Sequence, residues 1–293
     1  MSTLILDGRA VREARTPELI ERVKQLSRQP TLAIIQVGDL PDSTAFIKAK
    51  SAFAVKIGAK VKHIHLPESI FRHELVDEVR ECNADADIQG IIVQLPLPIA
   101  IDQDAVIEAV DSKKDADGLT SFNVKRWLEG REDAVIPATT RGVKELLEYY
   151  KLGLFGKHVV VVGRSMLVGK PLAAFCLNEN ASVTVCHSKT VDLPEETRKA
   201  DVLIVAAGKS KLITADHVRE GTVVIDVGIN TVKGEKLEDE ISGRKLVGDV
   251  DFEAVKDIAS AITPVPGGVG PMTVLALFEN LADLCLEPKD DII

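Results

Sequence analysis

Residues 159–171 read Val159-Val160-Val161-Val162-Gly163-Arg164-Ser165-Met166-Leu167-Val168-Gly169-Lys170-Pro171, and this stretch decides the fold class. Four consecutive valines suit a strand buried on both faces, as in a parallel sheet covered by helices. Gly163 and Gly169 follow, and an apolar amphipathic run opens around Pro171. Strand, glycine turn and helix in this order bring a phosphate to a helix N-terminus, where free N–H groups and the helix dipole favour negative charge. Ser165 holds the place of the middle glycine in G-x-G-x-x-G, so the match is partial, and an ordinary βα turn is the competing reading.

The chain around this stretch has 293 residues, enough for two domains with separate cores. Hydrophobic residues make up 45% and charged residues 28%, the balance of a globular rather than a disordered chain. A net charge of −9 with no offsetting Lys/Arg cluster argues against nucleic acid or an anionic membrane as partner. One Trp and two Tyr provide no base-stacking surface. Cys82, Cys176, Cys186 and Cys285 are scattered without C-x-x-C spacing, which fits reduced thiols in the cytoplasm and predicts no metal site. His63 and His65 alternate along a strand and read as a solvated face. No basic segment followed by an apolar run opens the chain, so no signal peptide is expected, and no apolar stretch reaches ~18 residues.

Strand and helix alternate on both sides of the valine strand. Helical rhythm over 10–27 leads to a strand at Thr31–Val37, a turn at Gly38-Asp39-Leu40-Pro41-Asp42, and a helix capped by Ser43 or Thr44 and ended by Gly58. Strands are predicted at 60–66 and 90–94, with helices at 71–83 and 102–110. This order implies a parallel sheet over the first ~120 residues. Lys113–Pro137 breaks the rhythm and reads as a connecting segment, followed by a helix at 141–150. Further strands are predicted at 182–186, 201–206, 222–227 and 245–250, with a polar hairpin or loop over 229–243. Pro264–Pro271 is a glycine-proline loop, and Pro271 suits the first turn of a last helix reaching about Cys285.

Ligands of open α/β sheets bind beyond the carboxyl ends of the strands. Gln94 stands there, in Gln94-Leu95-Pro96-Leu97-Pro98, where two prolines stiffen the loop. Phe46, Lys50, Phe53 and Ile57 fall at i, i+4, i+7 and i+11, so one helix face carries a single charge in an apolar stripe. Such a lysine ordinarily snorkels to water; desolvated instead, it has a lowered pKa and can trade protons near neutrality. Asp117-Gly118 reads as a turn, or as an acceptor for the N–H groups of a heterocycle. After Ser182–Cys186 comes His187-Ser188-Lys189-Thr190, where an NAD binder would carry a carboxylate for the ribose 2′-hydroxyl. With Arg164 inside the glycine turn, this basic, hydroxyl-rich setting suits a 2′-phosphate, hence NADP. Gly163-Arg164-Ser165 is not a serine-hydrolase elbow, because Leu167 stands where G-x-S-x-G needs its second glycine.

Together the motifs resemble the bifunctional methylenetetrahydrofolate dehydrogenase/methenyltetrahydrofolate cyclohydrolase family along nearly the whole chain. They are Val37-Gly38-Asp39 with the helix carrying Phe46 and Lys50, then Gly90-Ile91-Ile92-Val93-Gln94-Leu95-Pro96-Leu97-Pro98, and Asp115-Ala116-Asp117-Gly118. The glycine turn from Gly163 to Pro171, Ile225-Asp226-Val227-Gly228-Ile229-Asn230, and Ile262 through Pro266-Gly267-Gly268-Val269-Gly270-Pro271-Met272-Thr273 complete the set.

The resemblance implies two parallel-sheet α/β domains with a folate in the cleft between them. Residues 1–119 with 270–293 would form the folate-binding catalytic domain, and 120–269 a Rossmann-type NADP-binding domain with connecting helices. It implies a homodimer, and a last helix that returns to the first domain. Lys50 matches the central acid/base lysine, Gln94 the residue that tunes it, and Asp117 the pterin anchor. Phe46, Val93, Leu95 and the loop Pro266, Gly267, Gly268, Val269 and Gly270 fall on substrate contacts. Gly163, Arg164, Ser165, Ser188 and Ile229 fall on cofactor contacts, with Arg164 and Ser188 at the 2′-phosphate. Three departures stand out. Phe46 replaces a tyrosine, Pro137-Ala138-Thr139-Thr140 replaces Pro-Cys-Thr-Pro, and Lys125 replaces a glycine. A lost tyrosine hydroxyl could slow the hydrolytic half by ~10- to 100-fold. That keeps a dehydrogenase-only enzyme as one alternative, and a non-catalytic folate or nucleotide sensor on the same fold as another.

Overall fold

A computed structural model describes residues 3–131, 133–233 and 244–286. In the first half, the elements are β1 (Leu4–Ile5), α1 (Gly8–Gln25), β2 (Thr31–Val37), α2 (Pro41–Ile57), β3 (Lys60–Leu66), α3 (Arg72–Ala84), β4 (Gly90–Val93), α4 (Gln103–Ile107), α5 (Ser121–Leu128) and α6 (Ala138–Tyr149). The second half adds β5 (His158–Val162), α7 (Gly169–Asn178), β6 (Ser182–Cys186), α8 (Leu193–Arg198), β7 (Val202–Val205), β8 (Val223–Asp226), β9 (Asn230–Lys233), β10 (Arg244–Val247), α9 (Phe252–Val255), β11 (Ala261–Ile262) and α10 (Val269–Leu284). Two compact units result, Met1–Ala14 with Thr139–Thr273, and Arg15–Ala138 with Val274–Ile293.

The unit built on 15–138 has a three-stranded parallel sheet in the order β3-β2-β4. Its central strand, Thr-Leu-Ala-Ile-Ile-Gln-Val, is buried along six of seven positions, as a strand covered on both faces must be. Ala33, Ile35 and Val37 on one face pack with Leu75, Val79 and Cys82 of α3 and with Val106 of α4. The last helix supplies further cover. Phe278, 1% exposed, meets the ring of Phe53 at 5.7 Å, and burying one such ring contributes about 2–3 kcal/mol. Asn280 ties the same helix down by donating to the carbonyls of Ala116 and Ile136, both at 2.9 Å. From Val274 onward the last helix groups with this unit.

The other unit has a six-stranded parallel sheet in the order β1-β11-β8-β7-β5-β6, with β9 and β10 as an antiparallel pair. The valine strand lies inside it, Val159 to Val161 being fully buried. Residues 234–243 of the predicted hairpin or loop lie outside the described residues.

Three expectations are corrected. Leu4–Ile5 pairs with Ala261–Ile262, so the chain's start joins the second sheet rather than the first domain. A two-residue strand has too little length to show a period, which is why it is invisible in the sequence. Residues 120–138, expected with the nucleotide domain, contact the other unit, and α5 occupies the middle of the supposed connector. Neither Ser43 nor Thr44 caps α2. Pro41, whose ring presets a helical φ and whose missing N–H needs no partner there, starts it three or four residues earlier than either cap would. The last helix opens at Val269, with Pro271 in its first turn. Gly58 does end α2, at φ 83°.

Of the departures, Lys125 lies on the exposed face of α5, 3.8 Å from Glu129 one turn on. Thr140 is different. It sits in α6 with no exposure, and its Oγ1 has no hydrogen-bond partner among the described residues. A buried hydroxyl left unpaired costs about 1–3 kcal/mol. Thr140→Val, which keeps the shape and removes the orphan, is expected to raise stability by about 1 kcal/mol in urea unfolding; a variant no more stable than the parent would show that the hydroxyl is satisfied.

Candidate functional site

Lys50, Gln94 and Asp117 come together through three backbone elements of one unit. Gln94 follows β4, whose end is fixed when its N–H donates to the carbonyl of Ile35 at 2.8 Å. Residues 114–116 run alongside β4 as an extra parallel rung, with Ile91 opposite Asp115. Asp117 follows two residues after this bridge and lies within electrostatic reach of Lys50. Asp115 locks the turn. One of its oxygens, Oδ2, accepts from the Thr120 N–H and hydroxyl, both at 2.8 Å, and from Asn123 Nδ2 at 2.9 Å. The Asp117 carbonyl in turn accepts from Ala138 N at 3.1 Å.

Helix α2 brings Lys50 over this edge, and its Nζ donates to Gln94 Oε1 at 3.0 Å. Gln94 Nε2 is engaged by the Leu95 carbonyl at 2.9 Å, which aims the amide oxygen at the amine. The snorkelling alternative is therefore excluded, since the amine ends on a protein acceptor. Lys50 and Asp117 are half-buried as whole residues. Burial pushes the Lys50 amine below its ordinary range, with the Asp117 carboxylate opposing. Burial likewise pushes Asp117 up, against the pull of Lys50 and with Asp115 adding repulsion. Both groups move toward neutrality, the condition for exchanging a proton near pH 7.

Phe46, one turn before Lys50 on the same helix, is half-buried and offers a ring without a hydroxyl. Val93 belongs to the core cluster and Leu95 packs partly against it, so Val93 can meet a ligand through its backbone alone. The sequence reading passed over Asp115, Thr120, Asn123 and Asn280, which hold the Asp117 turn. A run of short polar residues after Asp-Gly was the available signal.

The second cluster lies at the carboxyl edge of the six-stranded sheet. A side chain at Gly163 (φ 129°) would lie 2.1 Å from the Ala206 carbonyl oxygen, and one at Gly169 would lie 2.4 Å from the Gly163 oxygen. Only glycine allows strand, turn and helix to close this tightly. Ser165 then corrects one expectation. Its Oγ accepts from Val168 N and Gly169 N, both at 3.2 Å, and its carbonyl accepts from Lys170 N at 3.0 Å. Pro171 has no N–H, so the helix N-terminus has no free donors left for a phosphate. The N–H groups of 164–167, which donate to no protein acceptor among the described residues, take over that capacity. Ser165 is thus a built-in cap rather than a spoiled glycine.

Parallel pairing of β5 with β6 sets Val162 opposite Cys186, so the two turns that follow are neighbours. His187 organises the second turn. Its N–H donates to Thr190 Oγ1 at 2.8 Å, and its Nδ1 accepts from Lys189 N at 3.1 Å. Arg164, Ser188 and Lys189 are exposed here, and neither cation makes an ion pair among the described residues. A glycine cradle, a set of free N–H groups and two uncommitted cations fit a phosphorylated dinucleotide.

The loop Pro266–Gly270 belongs to the same unit. The Gly267 carbonyl accepts from Gly8 N at 2.9 Å and Arg9 N at 3.2 Å, and Gly268 N donates to the Pro264 carbonyl at 2.8 Å. Gly267 and Gly268 therefore splice the loop to the start of α1. Pro266 and Gly270 are half-buried, Val269 is buried, and the exposed Ile229 after β8 reaches Gly270. Among the described residues no group of His, Cys, Asp or Glu could hold a metal ion, and no helix is long and apolar enough to cross a membrane.

Comparison with known proteins covers both halves of the chain. A family model described as the tetrahydrofolate dehydrogenase/cyclohydrolase catalytic domain matches residues 6–117. A second, described as the NAD(P)-binding domain of that family, matches 137–288. The bifunctional protein FolD of Sulfurihydrogenibium is 46% identical over 286 residues, covering 96% of this chain and 97% of that protein. The crystal structure of bifunctional FolD from Campylobacter jejuni has a TM-score of 0.90 at 43% identity, covering 97% of this chain and 99% of that one. FolD of Trypanosoma brucei, crystallised with NADP and an inhibitor, has a TM-score of 0.91 at 36% identity, with 97% and 98% covered.

Proposed function

The chain belongs to the tetrahydrofolate dehydrogenase/cyclohydrolase family, and from that premise we propose that it catalyses two consecutive steps of one-carbon metabolism. It oxidises 5,10-methylenetetrahydrofolate to 5,10-methenyltetrahydrofolate with NADP, and hydrolyses the methenyl compound to 10-formyltetrahydrofolate. The observation that carries this reading is the Lys50–Gln94 hydrogen bond at 3.0 Å, with the amine pushed below its ordinary range by burial.

The turn of Gly163, Arg164 and Ser165 would hold NADP, which would supply the acceptor for the hydride of the one-carbon bridge. What remains is proton movement. Water attacks the methenyl carbon and must lose a proton; a ring nitrogen must gain one as its bond to that carbon breaks. An amine whose pKa is lowered by burial can do both in turn. A depressed Lys50 also spares the methenyl cation a facing ammonium charge. Gln94 holds the amine in place, and Asp117 accepts the N–H groups of the pterin, which draw it toward its ionised form. Phe46, Val93 and Leu95 are the folate contacts this reading assigns beside Lys50, and Pro266, Gly267, Gly268, Val269 and Gly270 are assigned to substrate by the family resemblance alone. Gly163, Ser165 and Ile229 serve the dinucleotide, and Arg164 with Ser188 its 2′-phosphate.

We further propose a cytoplasmic homodimer. Support comes from four unpaired cysteines and from β3, a seven-residue edge strand whose outer backbone groups want partners. Sedimentation equilibrium is expected to give twice the chain mass; the mass of one chain would overturn the dimer.

The wild-type protein is expected to hydrolyse methenyltetrahydrofolate faster than a buffer blank. Lys50→Met should lose about 100- to 10,000-fold of that rate. A rate equal to the blank would sink the bifunctional reading, and a variant within tenfold of wild type would remove Lys50 from the chemistry. Arg164→Ala should lower kcat/KM for NADP by about 10- to 100-fold, as loss of a charge-assisted hydrogen bond does, and leave NAD nearly unaffected. An unchanged NADP/NAD ratio would show that Arg164 does not read the phosphate.

A further inference from the structure

Two buried aspartates at the carboxyl edge of the six-stranded sheet have no part in the roles assigned above. Asp249 has no exposure, and its carboxylate is fully engaged. Oδ2 accepts from Ala207 N at 2.6 Å and Gly208 N at 2.8 Å; Oδ1 accepts from Lys209 N and Asn230 Nδ2, both at 2.8 Å. Three successive N–H groups closing on one carboxylate form an anion-binding nest, filled here from within the protein. The carboxylate rests on the backbone of Gly228, where a side chain would lie 2.1 Å from Asp249 Cγ. One residue thus holds the loop after β7, Ala206–Lys209, and the loop after β8, Val227–Asn230.

Asp226 holds Asp249 in its turn. It is 3% exposed and accepts from Asp249 N at 3.1 Å, Gly228 N at 3.0 Å and Val250 N at 2.9 Å. A side chain at Gly248 would lie 1.8 Å from Asp226 Oδ2, so the two acids and the two glycines interlock. Burial pushes Asp226 up to about 7.

The place of this lattice in the sheet gives it a task. Strand order β8-β7-β5-β6 sends the chain to one side of β5 and then to the other, which opens the crevice where dinucleotides lie across such sheets. Arg164, Ser188 and Lys189 occupy the β6 side, and the free N–H groups of the turn after β5 lie at the middle. The half of the dinucleotide that remains runs toward β7 and β8, about 5–10 Å further along the sheet at the usual strand spacing. The Ala206 carbonyl is already in contact range of Gly163, so the loop Asp249 holds abuts the fingerprint turn itself.

We propose that Asp249, braced by Asp226, is a positioning residue for NADP: it sets the two loops after β7 and β8 against which the nicotinamide half of the dinucleotide lies. The proposal rests on the NADP reading of this unit. Asp249 touches no reacting atom; it acts through Ala207, Gly208, Lys209 and Asn230.

Asp249→Asn tests it. An amide has one acceptor oxygen where four donors now converge, and its NH2 faces N–H groups. NADPH affinity, read by fluorescence titration in the intact protein, is expected to weaken at least tenfold. Hydrolysis of methenyltetrahydrofolate, which uses no dinucleotide, should stay within about twofold in rate and KM. Unchanged NADPH affinity would overturn the proposal, and so would a parallel loss of both properties, which marks a purely structural role. Should Asp249→Asn not fold, Asn230→Ala decides. It removes one of the four donors, and a folded Asn230→Ala protein that binds NADPH as tightly as wild type would overturn the proposal. A wild-type protein that does not bind NADPH would overturn the NADP reading instead, which separates the two failures.

Discussion

A parallel sheet covered on both faces meets solvent only at the ends of its strands. Most backbone N–H and C=O groups along β2, β5, β7 and β8 are spent on neighbouring strands, and most of their side chains are buried. Chemistry therefore falls to the residues that come next: Gln94 after β4, Gly163-Arg164-Ser165 after β5, His187-Ser188-Lys189 after β6, Ile229 and Asn230 after β8. The interior sets where these residues stand, and the turns set what they can do.

The two clusters use charge in opposite ways. Arg164 and Lys189 are exposed and remain unpaired among the described residues, which suits a polyanion arriving from water. Lys50 meets a neutral amide instead of a carboxylate at hydrogen-bond distance. A glutamate at position 94 would have stabilised the ammonium and raised its pKa. Gln94 gives orientation without that electrostatic pull, leaving burial to lower the amine. The opposing carboxylate, Asp117, acts only at longer range and is itself drawn toward neutrality.

Much of this was legible in the sequence. Strands β2, β3 and β6 begin and end where the hydrophobic pattern and flanking turns predict, because Gly, Pro and Asp punctuate them. The stripe Phe46-Lys50-Phe53-Ile57 does share one helix face, graded from half-buried to buried. The losses have physical causes. Period cannot reveal β1 or β11, at two residues each, since their place in the sheet is a long-range pairing. Propensity cannot tell a snorkelling lysine from a desolvated one, because the difference lies in Gln94, 44 residues away. Ser165 read as a defect in a glycine pattern, yet it caps the helix that the pattern was meant to open. Asp226 and Asp249 sit in short Ile-Asp-Val-Gly and Val-Gly-Asp-Val strings that look like strand ends; that each places its carboxylate on the other's glycine emerges only in three dimensions.

The same groups that enable the chemistry weigh against the fold. Lys50 has a folded pKa below its unfolded value, so the unfolded chain binds more protons, and stability is lost as pH falls through that range. Asp226 runs the other way. Its folded pKa lies above its unfolded one, so stability is lost as pH rises from about 4 toward about 7. Near neutral pH both penalties apply together, although either position could hold an apolar residue. Selection for stability alone would remove them. Each instead meets a dedicated partner, an amide oriented by its own neighbour for Lys50 and three backbone N–H groups for Asp226. Where a comparable buried polar atom has no such partner, as at Thr140 Oγ1, the structure offers no compensating role. That contrast separates polar burial which the site requires from polar burial which the fold merely tolerates.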